Sequence, residues 1–298
     1  MPTFGAMGTE VAVHAPGLAR ADEERLAAGV AEIFARSEAR FSRFRPDSEL
    51  SRLNAADRPT VVSRALFDVL QSARRCFALT DGIFDPTVAA ALAGHGYDRP
   101  FTAGALDRPH VERAPACSFA DVVLDEATCT VDKPLHVRLD LGGIVKGRTA
   151  DHAAGLLPRP GVVDAGGDAV LRDVEHEGPR WIVDVEDPRD ARRALLALAI
   201  GDRAVATSGT NRRRWAAGGG MAHHLIDPRT GKPAASDLVQ VTIVAASAEL
   251  AEVLAKTVLV LGARDGGAFL SRFDDVAAIL VGTDGDVRRI GDLEVIDG

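Results

Sequence analysis

The 298-residue chain predicts an α+β fold, with mixed or antiparallel sheets and helices packed against them, on three observations. Helical and strand patterns fall in blocks rather than in strict alternation. The first eighty residues carry two long helical periodicities, and from Val122 onward the texture changes to short strands separated by turn residues. With 46% hydrophobic and 26% charged residues and no internal repeat or low-complexity linker, the composition is that of an ordinary globular chain, so one domain over residues 1–298, or two intimately packed lobes, is expected.

The elements follow in order. Gly8 to His14 alternates as a strand, and Leu18 to Ala39 places Leu26, Val30, Ile33 and Phe34 at helical spacing beneath a charged face. A polar, arginine-rich loop runs to Asn54. Ser63 reads as the N-cap of a helix through Leu66, Val69, Leu70 and Ala73 towards Leu79. Short strands are then predicted at Val122–Leu124, Thr130–Val131, Val137–Leu139, Val162–Val163, Ala169–Leu171, Trp181–Val185, Leu195–Ile200 and Val239–Ala245. The later helices are Ile144–Leu157, Ser247–Leu261 and Asp265–Phe273, and Val276–Val281 enters a hairpin turn at Thr283-Asp284-Gly285-Asp286. Arg99 to Ala116, with three prolines, and Ala216 to Met221, with three consecutive glycines, are candidate mobile loops.

Charge and cysteine content exclude several function classes. The 35 basic and 43 acidic side chains leave a net charge of −8, which argues against a broad surface for nucleic acid or anionic membrane. The densest basic run is Arg212-Arg213-Arg214, with Trp215 beside it as a stacking surface; a solvated loop is the plainer alternative. Cys76, Cys117 and Cys129 are too few and too irregular for a disulfide framework or structural zinc site. No leader pattern precedes Met7 and no apolar run is long enough to span a bilayer, so a cytoplasmic protein without a membrane span is expected.

Two stretches carry chemistry. Asp140-Leu141-Gly142-Gly143-Ile144-Val145-Lys146-Gly147, with Asp151 shortly after, sets an acid, a glycine pair and a lysine on a strand-to-helix turn, where a helix N-terminus and an ammonium would face one anion. His223-His224-Leu225-Ile226-Asp227-Pro228-Arg229-Thr230-Gly231 places two titratable rings just before a turn started by Asp-Pro and closed by Gly231.

Further motifs appear in order: Met7-Gly8-Thr9, Phe41-Ser42-Arg43-Phe44 with Pro46 to Asn54, Thr80-Asp81-Gly82-Ile83-Phe84-Asp85-Pro86-Thr87-Val88, Asp164-Ala165-Gly166-Gly167-Asp168 and Ala206-Thr207-Ser208-Gly209. With the two stretches above they resemble the ApbE-type flavin transferases, the FAD:protein FMN transferase family, along nearly the full length. The resemblance implies that FAD is a substrate, split at its pyrophosphate, with FMN passed to a threonine or serine hydroxyl of an acceptor flavoprotein and AMP released. By the same resemblance His224 matches the base, with His223 the competing assignment, and Lys146 is the pyrophosphate cation. Met7, Phe44, Ile83, Phe84, Asp85, Asp140, Thr207 and Leu225 match the FAD site, although a buried core role is the plainer alternative for Phe44 and Phe84.

Relatives of that family hold magnesium through a carbonyl three residues before the turn lysine and an aspartate and threonine four apart on the last major helix. The corresponding residues here are Gly143, Glu252 and Lys256, and an ammonium cannot ligate magnesium. The expected arrangement is Lys256 in the place of the ion with Glu252 holding it. The alternatives are magnesium on Glu252 and the Gly143 carbonyl, or a simple i,i+4 ion pair. Hydrolysis of FAD to FMN and AMP, and FAD binding without turnover, are the competing functions.

Overall fold

The computed structural model describes residues 1–101, 117–173, 181–217 and 220–296. Two compact units share the chain: residues 1–35, 146–211 and 236–298 form the first, and residues 36–145 and 212–235 the second.

In the first unit an eight-stranded antiparallel sheet runs in the order Thr3–Ala6, Thr9–His14, Gly161–Ala165, Asp168–Arg172, Ala204–Gly209, Leu238–Ala245, Ala277–Gly282, Val287–Ile290. Successive residues point to opposite faces, so each face builds its own core. Val11, Val13, Val163 and Val170 pack with Val30 and Phe34 of helix α1 (Arg20–Phe41) and with Ala150 and Ala153 of helix α5 (Val145–Ala153). Their neighbours Leu171, Val205, Val244 and Ile279 pack on the other face with Val185 and Leu198. Those two belong to a second sheet of Trp181–Asp187, Asp190–Ile200 and Glu294–Ile296. The unit is thus helices on one face of a sheet and a sheet on the other.

The first hairpin turns on Met7 and Gly8, both with positive φ (51° and 71°), as a two-residue connection of this twist requires. Glycine accepts that conformation freely; methionine does so at a cost. Helix α6 (Ala248–Leu270) is capped by Ser247, whose side chain accepts from Leu250 N, and is interrupted at Gly262, with φ 82°. The backbone leaves helical geometry at that residue, so the two predicted helices, Ser247–Leu261 and Asp265–Phe273, lie on either side of it.

The second unit holds helices α2 (Glu49–Ala55), α3 (Arg64–Leu79) and α4 (Ala89–Gly94), with the caps Ser48 on α2 and Ser63 on α3. A small sheet pairs Thr60–Val61 and Val123–Asp125 with Thr130–Asp132, and the hairpins Arg214–Ala217/Gly220–His223 and Ile226–Asp227/Lys232–Pro233 complete it.

Four expectations need correction. The arginine-rich loop contains α2, because Ser48 accepts from Ser51 N and the helix buries Leu50 and Leu53. The strands Thr3–Ala6 and Ala204–Gly209 were not anticipated, the latter for its small residues. Val137–Leu139 buries Val137 and Leu139 but joins no sheet. The side-chain amide of Asn54 takes the place of a neighbouring strand, accepting from Leu139 N at 2.7 Å and donating to Leu139 O at 2.9 Å. Of the expected mobile loops, residues 102–116 and 218–219 lie outside the described residues, and residues 216–217 and 220–221 belong to strands. Among the described residues no helix is long and apolar enough to cross a membrane.

Candidate active site

Lys146 opens the first unit's share of the glycine-lysine turn. Its ammonium donates to the Ala165 carbonyl at 3.1 Å and is ion-paired with Asp168. Both partners flank the Gly166-Gly167 hairpin turn, where a side chain on Gly166 would collide with Thr9 (1.8 Å from its Oγ1). The anion that Lys146 faces is thus a carboxylate of the chain itself. Asp168 carries no role in the sequence motif that contains it; the signal it offers there is an acid directly after a glycine pair.

The start of α5 is clamped onto the start of α6. Gly147 N donates to Glu252 Oε2 at 2.9 Å, Arg148 pairs with Glu249 at 2.8 Å, and Asp151 accepts from Ala248 N and Glu249 N at 2.8 and 2.9 Å. A Cβ on Gly147 would stand 2.4 Å from the Ala248 carbonyl oxygen, so this approach requires glycine. Glu252, 1% exposed, accepts from Lys256 Nζ at 2.9 Å through its other oxygen.

Four buried or half-buried charges, Lys146, Asp168, Glu252 and Lys256, therefore share one neighbourhood. Burial pushes Asp168 up to about 6, with Lys146 opposing and Glu252 adding to the rise. Burial also acts to raise Glu252, but Lys256, Lys146 and the Gly147 N–H outweigh it and hold that carboxyl below its usual range. Glu252 is held down mainly by the two ammoniums and further by the Gly147 N–H, whereas Asp168 also feels the repulsion of Glu252.

Thr207 lies on the adjoining strand Ala204–Gly209, its Oγ1 2.9 Å from Thr242 Oγ1 and its N–H on the Gly167 carbonyl at 3.1 Å. Met7 packs against the core that holds Ala165 and Ala248.

In the second unit Arg43 organises an aromatic cluster. Its guanidinium lies 4.1 Å from the Phe44 ring centroid and 5.0 Å from that of Tyr97, pairs with Asp140 at 2.6 Å and donates to the Tyr97 carbonyl at 2.7 Å. Asp140 Oδ1 accepts from Gly142 N at 2.6 Å, so Asp140 shapes the turn that carries it. Gly143 is half-buried in the same turn, and the Leu141 carbonyl accepts from Ile144 N and Val145 N.

Trp215, read as a stacking surface or, more plainly, as part of a solvated loop, is 3% exposed: it stacks on Tyr97 at 5.5 Å and donates from Nε1 to the His95 carbonyl at 2.7 Å. Its apolar ring is better buried against neighbours than left on an open loop. Phe84 is buried, and Ile83 beside it is half-buried. Asp85 caps the following turn, accepting from Thr87 N at 2.8 Å, Thr87 Oγ1 at 2.7 Å and Phe119 N at 3.2 Å, while burial raises its pKa against those bonds. Asp85 therefore acts on the shape of this segment.

The two histidines differ sharply. His223 ends its strand with both ring nitrogens engaged: Nδ1 accepts from Leu225 N at 3.3 Å, which leaves Nε2 to donate to the Ala234 carbonyl at 3.1 Å. Burial keeps it below the ordinary imidazole range, only partly offset by that carbonyl. His224 is half-buried in the bend that follows, ahead of buried Leu225 and Ile226 and of Asp227, which binds Arg229 through both oxygens at 2.9 Å.

Residues 7–280 match the ApbE family. This chain belongs to that family. A FAD:protein FMN transferase of Vibrio cholerae is 29% identical over 293 residues, covering 95% of this chain and 86% of that protein. One of Treponema pallidum is 33% identical over 270 residues, covering 82% and 73%. The crystal structure of the ApbE protein of Thermotoga maritima has a TM-score of 0.84 at 25% identity, covering 97% of this chain and 96% of that one. The flavin transferase ApbE of Vibrio cholerae gives 0.79 at 25% identity over 97% and 95%. These ApbE structures share the α+β architecture of mixed helices and antiparallel sheets.

Proposed function

We propose that this protein is an FAD:protein FMN transferase that takes FAD as substrate and a flavoprotein acceptor bearing a threonine or serine hydroxyl. The acceptor oxygen attacks the phosphorus on the FMN side of the pyrophosphate. The bond from that phosphorus to the bridging oxygen breaks, AMP leaves with that oxygen, and FMN stays on the acceptor as a phosphoester. His224 takes the hydroxyl proton. The observation that supports this assignment is the engagement of both His223 nitrogens by backbone, which argues against His223 as the base.

Lys146 supplies positive charge to the pyrophosphate. Its ammonium donates to the Ala165 carbonyl and is ion-paired with Asp168, and an ammonium carries three donors. Met7, Phe44, Ile83, Phe84, Asp85, Asp140, Thr207 and Leu225 are assigned to the flavin nucleotide, Asp85 and Asp140 through the shape of their turns.

Product analysis tests the function. Incubation with FAD and a threonine-bearing acceptor should give a flavinylated peptide by mass spectrometry together with AMP. Free FMN and AMP without labelled peptide would make the protein a pyrophosphatase, and unchanged FAD would make it a binding protein.

A further inference from the structure

Lys146 and Asp168, and Lys256 and Glu252, are opposite charges paired in the first unit. Both Glu252 oxygens are engaged: one accepts from the Lys256 ammonium and the other from the Gly147 N–H, both at 2.9 Å. Magnesium demands several oxygens in near-ideal octahedral geometry. Here Lys256 and Lys146 already neutralise the two carboxylates and would repel a dication. The residues present do not fit the ion that the family resemblance implies.

Glu–Lys pairs at i,i+4 are common on exposed helix faces, but this acid is buried. Removing a carboxylate from water is unfavourable unless its partner and hydrogen bonds compensate. The pair is also asymmetric. The Glu252 side chain is 1% exposed and that of Lys256 is 21%, so the carboxylate sits inside and the ammonium at the outer end. An ammonium has three donors, and among the described residues Glu252 is the one acid paired with Lys256, which leaves donors for a ligand.

We propose that Lys256 is a catalytic residue whose ammonium, held from behind by Glu252, neutralises phosphate charge as FAD is cleaved, in place of a divalent metal. This inference rests on the flavin-transfer function for its substrate. As the bond between phosphorus and bridging oxygen breaks, negative charge gathers on the departing AMP phosphate, and Lys256 donates a hydrogen bond to it without giving up its proton.

The test has a binding arm and a rate arm. Manganese(II) titrated into the wild-type protein and followed by electron paramagnetic resonance, with and without FAD, should find no stoichiometric site, and transfer should persist in excess chelator. Lys256→Met should lower kcat about 10²-fold or more with FAD affinity kept within several-fold, and Lys256→Arg should recover part of the loss. Lys256→Met leaves a buried acid without its ammonium, so Lys256→Met/Glu252→Gln, checked for folding by circular dichroism, should show the same loss. A stoichiometric manganese ion in the wild type, loss of transfer in chelator, or full activity of the folded double variant would overturn the proposal. A wild type that transfers FMN under no metal condition would defeat the flavin-transfer function instead. The manganese titration would still decide whether a metal or Lys256 holds this position.

Discussion

The carboxylate of Asp151 caps helix α6 from within α5, accepting from Ala248 N at 2.8 Å and from Glu249 N at 2.9 Å. Two N–H groups at the start of α6 are thereby satisfied by a residue 97 positions earlier in the chain. Asp151→Ala should destabilise the protein by about 1–3 kcal/mol, since both donors lose their partner in a half-buried setting. Urea denaturation measures it, and a loss below about 0.5 kcal/mol would mean that water caps the helix equally well.

Gly147→Ala should be more damaging than Gly142→Ala. At Gly147 the added carbon meets backbone, the Ala248 carbonyl at 2.4 Å, whereas at Gly142 it meets only the Asp140 side chain at 2.9 Å. Overpacking against backbone that cannot move aside costs about 1–3 kcal/mol. It would also pull Gly147 N from Glu252. Parallel thermal melts decide the order, and equal melting temperatures would contradict the close approach.

His224→Ala should lower the transfer rate about 10²–10⁴-fold with FAD affinity nearly unchanged, the effect of losing a general base. His223→Ala should instead lower stability, because its ring joins the Leu225 N–H to the Ala234 carbonyl. Calorimetric FAD binding with single-turnover rates separates the two. A folded His223→Ala that binds FAD but is inactive would reverse the assignment.

Asp168 predicts a pH signature. Its folded-state pKa, about 6, lies above the ordinary carboxyl value, so the folded protein holds that proton more tightly than the unfolded chain. The resulting stability is fully present below the ordinary carboxyl pKa and is lost as pH rises through about 6. The stability of the wild type relative to Asp168→Asn should therefore increase as pH falls from neutrality towards the ordinary carboxyl range. Subtracting the variant cancels the other acids that burial raises, Asp85 and Asp151. A difference that is flat across that range would show that Lys146 compensates the burial of Asp168 completely.

Local sequence patterns were enough for the α+β class, both ends of α3, the start of α6 and the order of the motifs. These depend on local rules: Ser63 and Ser247 cap because a short hydroxyl accepts from the N–H three residues on, and the period of apolar residues selects helix or strand. The family resemblance pointed to Glu252 and Lys256, and their one-turn spacing on a helix makes them neighbours. Tertiary structure alone decided what the long-range partners do. Asn54 replaces a strand beside Leu139, Asp168 meets Lys146, the Ala234 carbonyl meets His223, and Tyr97 covers Trp215. Each pairing joins residues far apart in the chain, where local propensity has no influence, and burial then converts a side chain that looks available into one already committed.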